Sequence, residues 1–378
     1  MTKLGETDAR ARMTRVLHLT EPESALQQLL ALLHGPVPPV RASPASALGC
    51  VLAQDLAAPA PLPAVRIARI DGWCVRAADT LGAGPYAPLP LANATWVESG
   101  APLPAGTDAM LAEFDVTSDG DEQAALRPVA AGAGTVQPGE DLSAGVWRRE
   151  GERLRLADVA ALAASGVDVV TVRTPRVAWL ATGERRDGLL PFFAGLLAGE
   201  GAVLVALPPV VDDAGIIADA LRAADADLVL LAGGSGLGRT DCSAAAIAGA
   251  GRLLLHGLGA RPATTSGFGV VAGRPVILVP GRTEDALAAW LLLARPAIRH
   301  LSGAVAALPA SAVLTRKIAS SVGLAELAPV RRCGDGRVEP LATGGVTLAA
   351  LVAADGYVIV PPGIEGYEAG TRVDMQQL

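Results

Sequence analysis

Three apolar runs in the second half of the chain each end in a short glycine-bearing segment. Val177–Ala181 leads into Thr182-Gly183-Glu184, Leu228–Leu231 into Gly233-Gly234-Ser235-Gly236-Leu237-Gly238-Arg239-Thr240-Asp241, and Val276–Val279 into Pro280-Gly281-Arg282. Glycine lets the backbone come close to a ligand, and backbone N–H groups are the donors that phosphate oxygens accept from. The chemistry these segments offer is therefore the binding of an anionic, phosphate-bearing molecule. One such loop does no more than turn the chain. Three at the carboxyl edge of one sheet point to a ligand. Asp241, opening the next helical stretch, reads as its N-cap. Neither familiar nucleotide motif is present: the glycines follow the third strand rather than the first, G-x-G-x-x-G is not spelled out, and no P-loop Lys-Ser/Thr follows.

Other candidates carry less by themselves. Asp71-Gly72 and Gly139-Glu140-Asp141 are ordinary turn chemistry. The four histidines lack metal spacing, and His256, before Gly257, reads as a strand-end residue with catalysis as the alternative. Cys50, Cys74, Cys242 and Cys333 are scattered with no C-x-x-C pair, so they read as buried small apolar residues in a reduced compartment, with neither a disulfide framework nor a zinc site.

The elements that must position these residues follow from texture. The chain has 378 residues, enough for two to four domains at ~150 residues each. It is 51% hydrophobic and 18% charged, which excludes disorder, and its 43 glycines and 28 prolines are too many for a helical bundle. A net charge of −7 argues against nucleic acid. The N-terminus lacks the apolar core of a secretory signal, and the stretch 286–298 is too short to span a membrane, so a soluble, cytoplasmic protein is expected. Residues 21–56 are expected to be helical, with Pro22 near a start and Leu26, Leu29, Leu30 and Leu33 at helical spacing. Pro and Gly break the chain every few residues from 59 to about 136, the texture of a small β-module. A helix over Leu156–Ser165, ended by Gly166, precedes a strand over Val167–Val172. From 175 to 302, β-rich runs (Val177–Ala181, Val203–Leu207, Leu228–Leu231, Val276–Val279) alternate with helical stretches (Leu189–Leu197, Ala214–Ala224, Asp241–Ala248, Asp285–His300), the pattern of βαβ units on a parallel sheet. Short strands with turn residues return over 310–378. The expected domains are thus 1–56 with 137–174, an elongated helical N-terminal domain; 57–136, an inserted β-module; 175–302, an α/β domain; and 303–378, a C-terminal β-domain.

In order along the chain, these pieces resemble the molybdopterin molybdenumtransferase family, which includes the E domain of gephyrin. Pro61-Leu62-Pro63 followed by Ile70-Asp71-Gly72-Trp73-Cys74-Val75 resembles the family's PLP…MDGYAV, and Ser99-Gly100-Ala101-Pro102-Leu103-Pro104-Ala105-Gly106-Thr107-Asp108 its TGAxLPxGAD. Gly139-Glu140-Asp141, Thr174-Pro175-Arg176-Val177, Thr182-Gly183-Glu184, Gly233-Gly234…Asp241, His256-Gly257…Arg261-Pro262 and Pro280-Gly281 follow in family order, and the tail from Ala353 to Gly363 resembles the family's C-terminal β-domain. The resemblance implies a multidomain α/β plus β fold: a three-layer, molybdopterin-binding-like α/β domain, a small β-module and a C-terminal barrel-like β-domain. It implies an elongated homodimer that inserts molybdate into molybdopterin, or its adenylylated form, with Mg²⁺-assisted release of AMP. Further partners would be the molybdopterin-adenylylating enzyme or a recipient molybdoenzyme. Asp71, Asp141 and Asp241 would be catalytic, with Asp71 and Asp241 on the metal. Ser99, Gly100, Thr182, Gly183, Glu184, Gly233, Gly234, Ser235, Arg261, Pro280, Gly281 and Arg282 would hold the ligand. The cleft would lie between the α/β domain of one subunit and the β-module of the other.

The departures fall in that cleft. Arg66-Ile67-Ala68 replaces Asp-Asn-Ser, Arg185 stands where the family has a glutamate, and the family serine of GGxSxG is Gly236, beside Ser235. Arg261-Pro262-Ala263-Thr264 replaces KPGK, and Arg282-Thr283-Glu284-Asp285 replaces the polar end of PGNPVS. Losing a lysine at Thr264 and gaining carboxylates at Glu284 and Asp285 weakens the welcome for a dianion. Arg185, Arg261 and Arg282 offer compensation, since guanidinium groups grip oxyanions bidentately. Two readings follow: a divergent transferase, or a catalytically degenerate relative that binds molybdopterin or finished cofactor for delivery, storage or regulation.

Overall fold

In the computed structural model, residues 17–120, 122–183, 188–306, 308–342 and 345–378 are described. The α/β region is built on a six-stranded sheet with strands β1 (Arg176–Ala181), β2 (Val203–Ala206), β3 (Leu228–Ala232), β4 (Gly251–His256), β5 (Gly267–Val271) and β6 (Arg274–Val279), in the spatial order β2-β1-β3-β6-β5-β4. The first four are parallel, while β5 and β4 join antiparallel at one edge. The β4–β5 edge is absent from the sequence expectation, because its glycines interrupt the apolar pattern. Gly251, Gly267 and Gly269 are there for close approach: a Cβ on any of them would lie within 2.4 Å of a backbone oxygen of the facing strand.

Every residue of β3 is buried, as a strand covered on both faces requires. Its side chains divide by the two-residue period of a strand. Leu228 and Leu230 join Val177, Trp179, Ile277 and Val279 on one face, under helices α1 (Pro22–Leu30), α3 (Leu190–Gly199) and the run from α6 (Thr283–Ala289) through a π-helical turn (Trp290–Ala294) to α7 (Arg295–Ser302). Val229 and Leu231 join Ala178, Leu180, Val276 and Leu278 on the other, under α4 (Ala214–Ala223) and α5 (Ser243–Ala250). The layers are therefore helix, sheet and helix.

The expectation of helix across 21–56 is corrected. α1 begins with Pro22 in its first turn but stops at Leu30, and short strands follow at Val40–Ala42, Val51–Leu52 and Leu56–Ala58. Pro36, Pro38 and Pro39 lack the N–H a helix needs, which explains the stop. Helix α2 (Leu156–Ala164) ends before Gly166, whose φ of +67° is left-handed. A strand at Val170–Arg173 then returns to pair with Val40–Ala42 and Val51–Leu52.

In the β-module, Gly72–Val75 lies between Thr95–Val97 and Ala109–Leu111, both antiparallel to it. Gly72 is more than a turn residue, because a Cβ there would stand 2.3 Å from the Leu111 carbonyl oxygen. The C-terminal sheet closes on itself: Ala325–Arg332 pairs with both Arg337–Pro340 and Gly356–Val360, and the circuit runs on through Ala310–Leu314 and Arg372–Gln377, giving a five-stranded barrel. The expectation that all four cysteines are buried is corrected: only Cys50 and Cys74 are, and Cys333, between the strands Ala325–Arg332 and Arg337–Pro340, is exposed. No helix among the described residues is long and apolar enough to cross a membrane.

Candidate functional site

The three glycine-bearing segments leave the sheet side by side. In the register of β1, β3 and β6, Ala181 faces Ala232 and Ala232 faces Val279, so the last strand residues form one row. Two more backbone bonds extend it, from Thr182 N–H to Ala232 O at 2.9 Å and from Gly233 N–H to Val279 O at 3.0 Å. Beyond that row opens a cleft of about 650 Å³, lined by Thr182, Gly233, Gly234, Ser235, Asp241, Pro280, Gly281 and Arg282 of the expected residues. Gly188, Leu189, Thr264, Thr265 and Asp285 also line it. Glu184, like Arg185, lies outside the described residues. Neither Gly183, where an added Cβ would lie 3.2 Å from Asp212 Oδ2, nor Arg261 is part of the described lining.

The loop after β3 is held from several sides. Gly233 (φ +95°) and Gly234 (φ +55°) are left-handed, and the Ser243 hydroxyl donates to Gly233 O at 2.8 Å. A Cβ on Gly234 would meet Ser243 Oγ at 2.8 Å and one on Gly233 would meet Thr182 Oγ1 at 2.9 Å. These glycines are thus required by the packing of the loop itself. His256 ends β4 as expected, and its Nε2 lies 2.8 Å from Ser235 O, fixing the loop rather than facing the cleft. Asp241 is not the cap of α5. The residue flanking that helix is Cys242, and Asp241 Oδ2 accepts from Gly238 N–H at 2.8 Å, closing the loop upon itself. Asp212 and Ser243 were not legible as site residues, because nothing local in the sequence marks them.

Thr182 is the lining residue with an unsatisfied buried polar atom. Its hydroxyl oxygen is buried and has no hydrogen-bond partner among the described residues. A buried unpaired hydroxyl is costly, and a ligand oxygen in the cleft would relieve it.

The charges are arranged differently from expectation. Arg282 is three-quarters exposed and paired with Glu284, with Asp285 Oδ2 at 3.8 Å. The hydrogen bond to Glu284 pushes its pKa up, so the guanidinium stays charged but is locally neutralised. Asp285 Oδ1 accepts from the buried N–H of Ala263 at 2.8 Å, where Ala263 has φ +95° just after Arg261-Pro262. The Asp285 carboxylate therefore saturates this backbone donor. The described lining carries two carboxylates, Asp241 and Asp285, against one arginine.

The remaining expected residues lie in the β-module and, for Asp141, in the segment just after it. Asp71 Oδ1 accepts from Ser99 N–H at 2.7 Å, and Ser99 Oγ donates to Arg69 O at 3.0 Å. Gly100 N–H donates to Ala68 O, Asp141 N–H to Leu62 O, and Arg69 forms an ion pair with Glu140. The Gln137 N–H, ahead of Arg69 in effect, holds the Glu140 carboxyl below the usual range. Asp71, Ser99 and Asp141 are exposed, and none of them lines the cleft of the same subunit. Arg66, in place of the family's acidic start, is tied to Gln137 Oε1 through Nε at 3.1 Å and Nη2 at 2.9 Å.

Comparisons with known proteins agree along most of the chain. Residues 20–166 match the family described as MoeA N-terminal region (domain I and II), residues 167–300 the one described as "Probable molybdopterin binding domain", and residues 311–378 the MoeA C-terminal region (domain IV). Molybdopterin molybdenumtransferase 2 of Mycobacterium tuberculosis is 28% identical, covering 93% of this chain and 98% of that protein. Molybdopterin molybdenumtransferase of Synechococcus elongatus is 27% identical, covering 87% and 92%. A crystal structure of the molybdopterin biosynthesis moeA protein from Pyrococcus horikoshii superposes with a TM-score of 0.71 at 26% identity, over 96% of this chain and all of that one.

Proposed function

Because the chain belongs to the MoeA family of molybdenum cofactor biosynthesis, we propose that its cleft binds molybdopterin, or the adenylylated form, and that the protein catalyses molybdate insertion with release of AMP. The observation that carries this reading is the row Ala181–Ala232–Val279, from which three glycine-bearing segments open onto one cleft, with Thr182 in its lining. The names of the relatives favour a transferase over a carrier.

In this reading the backbone of Gly233, Gly234 and Gly281 approaches the phosphate end of the pterin, and the Thr182 hydroxyl donates to one of its oxygens. The donor chemistry fits Mg²⁺. Carboxylate oxygens are its preferred protein ligands, one or two suffice alongside phosphate and water, and the described lining has an excess of negative charge to offset. Asp241 would hold the ion together with Asp71. When bound, Mg²⁺ supplies charge neutralisation at the phosphoanhydride. Asp241 also keeps the loop closed through Gly238 N–H, so it couples loop shape to ligand binding. The cluster Asp71, Ser99, Gly100 and Asp141 lies outside its own subunit's cleft, which supports a homodimer in which the β-module of one subunit completes the cleft of the other.

Asp241→Asn keeps an oxygen for Gly238 N–H while removing charge. AMP release from adenylylated molybdopterin, with molybdate and Mg²⁺ present, should fall at least tenfold, or ~1.4 kcal/mol of transition-state stabilisation. A parent protein that releases no AMP above background overturns the transferase reading.

A further inference from the structure

A second cavity lies away from the cleft, where α7 meets the C-terminal barrel. It measures about 280 Å³ and is lined by Arg295, Arg299 and Arg332 together with residues 308–310 and 375–377. No carboxylate is part of its described lining.

The charges around it do not balance. Arg295 is 7% exposed, yet its Nη1 and Nη2 donate to neutral groups, Gln377 O at 3.0 Å and Tyr357 Oη at 2.6 Å, and it forms no ion pair among the described residues. Arg299 reaches Glu200 through Nε at 3.0 Å and Nη2 at 2.9 Å, but Glu200 is already paired with Arg153. Asp355 accepts from the backbone N–H of Arg332 at 2.7 Å, and the Arg332 guanidinium has no acceptor from the described protein. Three guanidiniums, those of Arg153, Arg295 and Arg299, thus share one buried carboxylate, Glu200. Burial pushes the Arg295 and Arg153 pKa values down, and the neighbouring Arg299 adds to this in both. Keeping a guanidinium buried without a counter-charge costs several kcal/mol, and an anion in the adjoining cavity offsets that cost.

We infer that this cavity is a binding site for a phosphate-type dianion, taken up free or as the phosphomonoester end of a small molecule, with Arg295, Arg299 and Arg332 around it. Guanidinium forks match tetrahedral oxyanions in geometry as well as charge. The volume sits just below the range of small-molecule pockets, so it suits the anion and its waters rather than an enclosed pterin. The site is independent of the transferase cleft, and neither proposal needs the other.

Titration calorimetry on the full chain, with sodium phosphate at fixed ionic strength and neutral pH, tests it. Saturable binding is expected in the parent, and Arg332→Gln should weaken one site at least tenfold. Arg332 is exposed and engaged by the protein through its backbone, so this variant keeps the fold. Arg332→Lys, which retains charge without the fork, should fall between the two. Displacement of phosphate by AMP from the same site assigns a phosphomonoester ligand, and phosphate binding without such displacement assigns the free anion. Phosphate binding left unchanged by Arg332→Gln, or no saturable binding at millimolar phosphate, overturns the inference.

Discussion

Two side chains in the cleft have opposite relations to their surroundings. Asp285 satisfies a buried donor, and Thr182 is itself unsatisfied. Replacing Asp285 by Ala strands the Ala263 N–H, which should cost about 1–3 kcal/mol in denaturant unfolding. Asp285→Asn keeps an acceptor oxygen and should recover most of that loss. An Asn variant as unstable as the Ala variant would show that the charge, not the acceptor, matters there. Thr182→Val behaves the other way. It removes a buried polar atom that has no described partner, so the ligand-free protein should be as stable as the parent or more so, while affinity for molybdopterin falls roughly tenfold through the lost hydrogen bond to a charged oxygen. Equal pterin affinity in parent and variant would remove Thr182 from the site.

At the scale of elements, the loop after β3 and the one after β6 differ in what their glycines do. Gly234 is left-handed and pressed against Ser243 Oγ, so even Gly234→Ala should destabilise the fold by about 1 kcal/mol or more. Lost binding in Gly234→Val would therefore report loop packing as much as ligand contact. Gly281 is the cleaner probe. Its φ is ordinary for any residue, and an added Cβ would find nothing nearer than Gly233 Cα at 4.0 Å. Gly281→Val should unfold within about 0.5 kcal/mol of the parent while pterin affinity drops, because only the ligand needs the space. Unchanged affinity, measured by fluorescence titration with molybdopterin, would place the phosphate end elsewhere.

The whole molecule raises the question of which subunit completes which cleft. Asp71 and Asp241 belong to two separate groups of residues, and among the described residues no group of three metal-binding side chains forms within one chain. If two subunits share each cleft, Asp71→Asn and Asp241→Asn proteins, each impaired alone, should regain AMP release when co-expressed and isolated as mixed dimers. One of the two clefts then has both aspartates. Were each cleft completed within its own subunit, every cleft in the mixture would lack one aspartate and mixing would restore nothing. Light scattering that shows a monomer at micromolar concentration would exclude the shared cleft outright.

Sequence alone determined the parts that depend on local pattern. The alternation of apolar runs and helical stretches from 175 to 302 is a property of side-chain period, and it placed β1, β2, β3, β6 and the ends of their helices to within a few residues. The ordered motifs determined the family for the same reason: glycines, prolines and turn acids are local demands of the backbone. Where the demand comes from far away, the chain did not announce it. The β4–β5 edge exists because glycines there let facing backbones approach. Asp241 looks like a cap because it precedes a helix, yet its carboxylate closes the loop three residues back. Asp285 looks like a charge hostile to anions, yet it serves a backbone donor 22 residues away. Tertiary structure decided these roles because a carboxylate acts on whatever N–H or guanidinium the fold brings within about 3 Å, and that pairing is set by packing rather than by sequence distance.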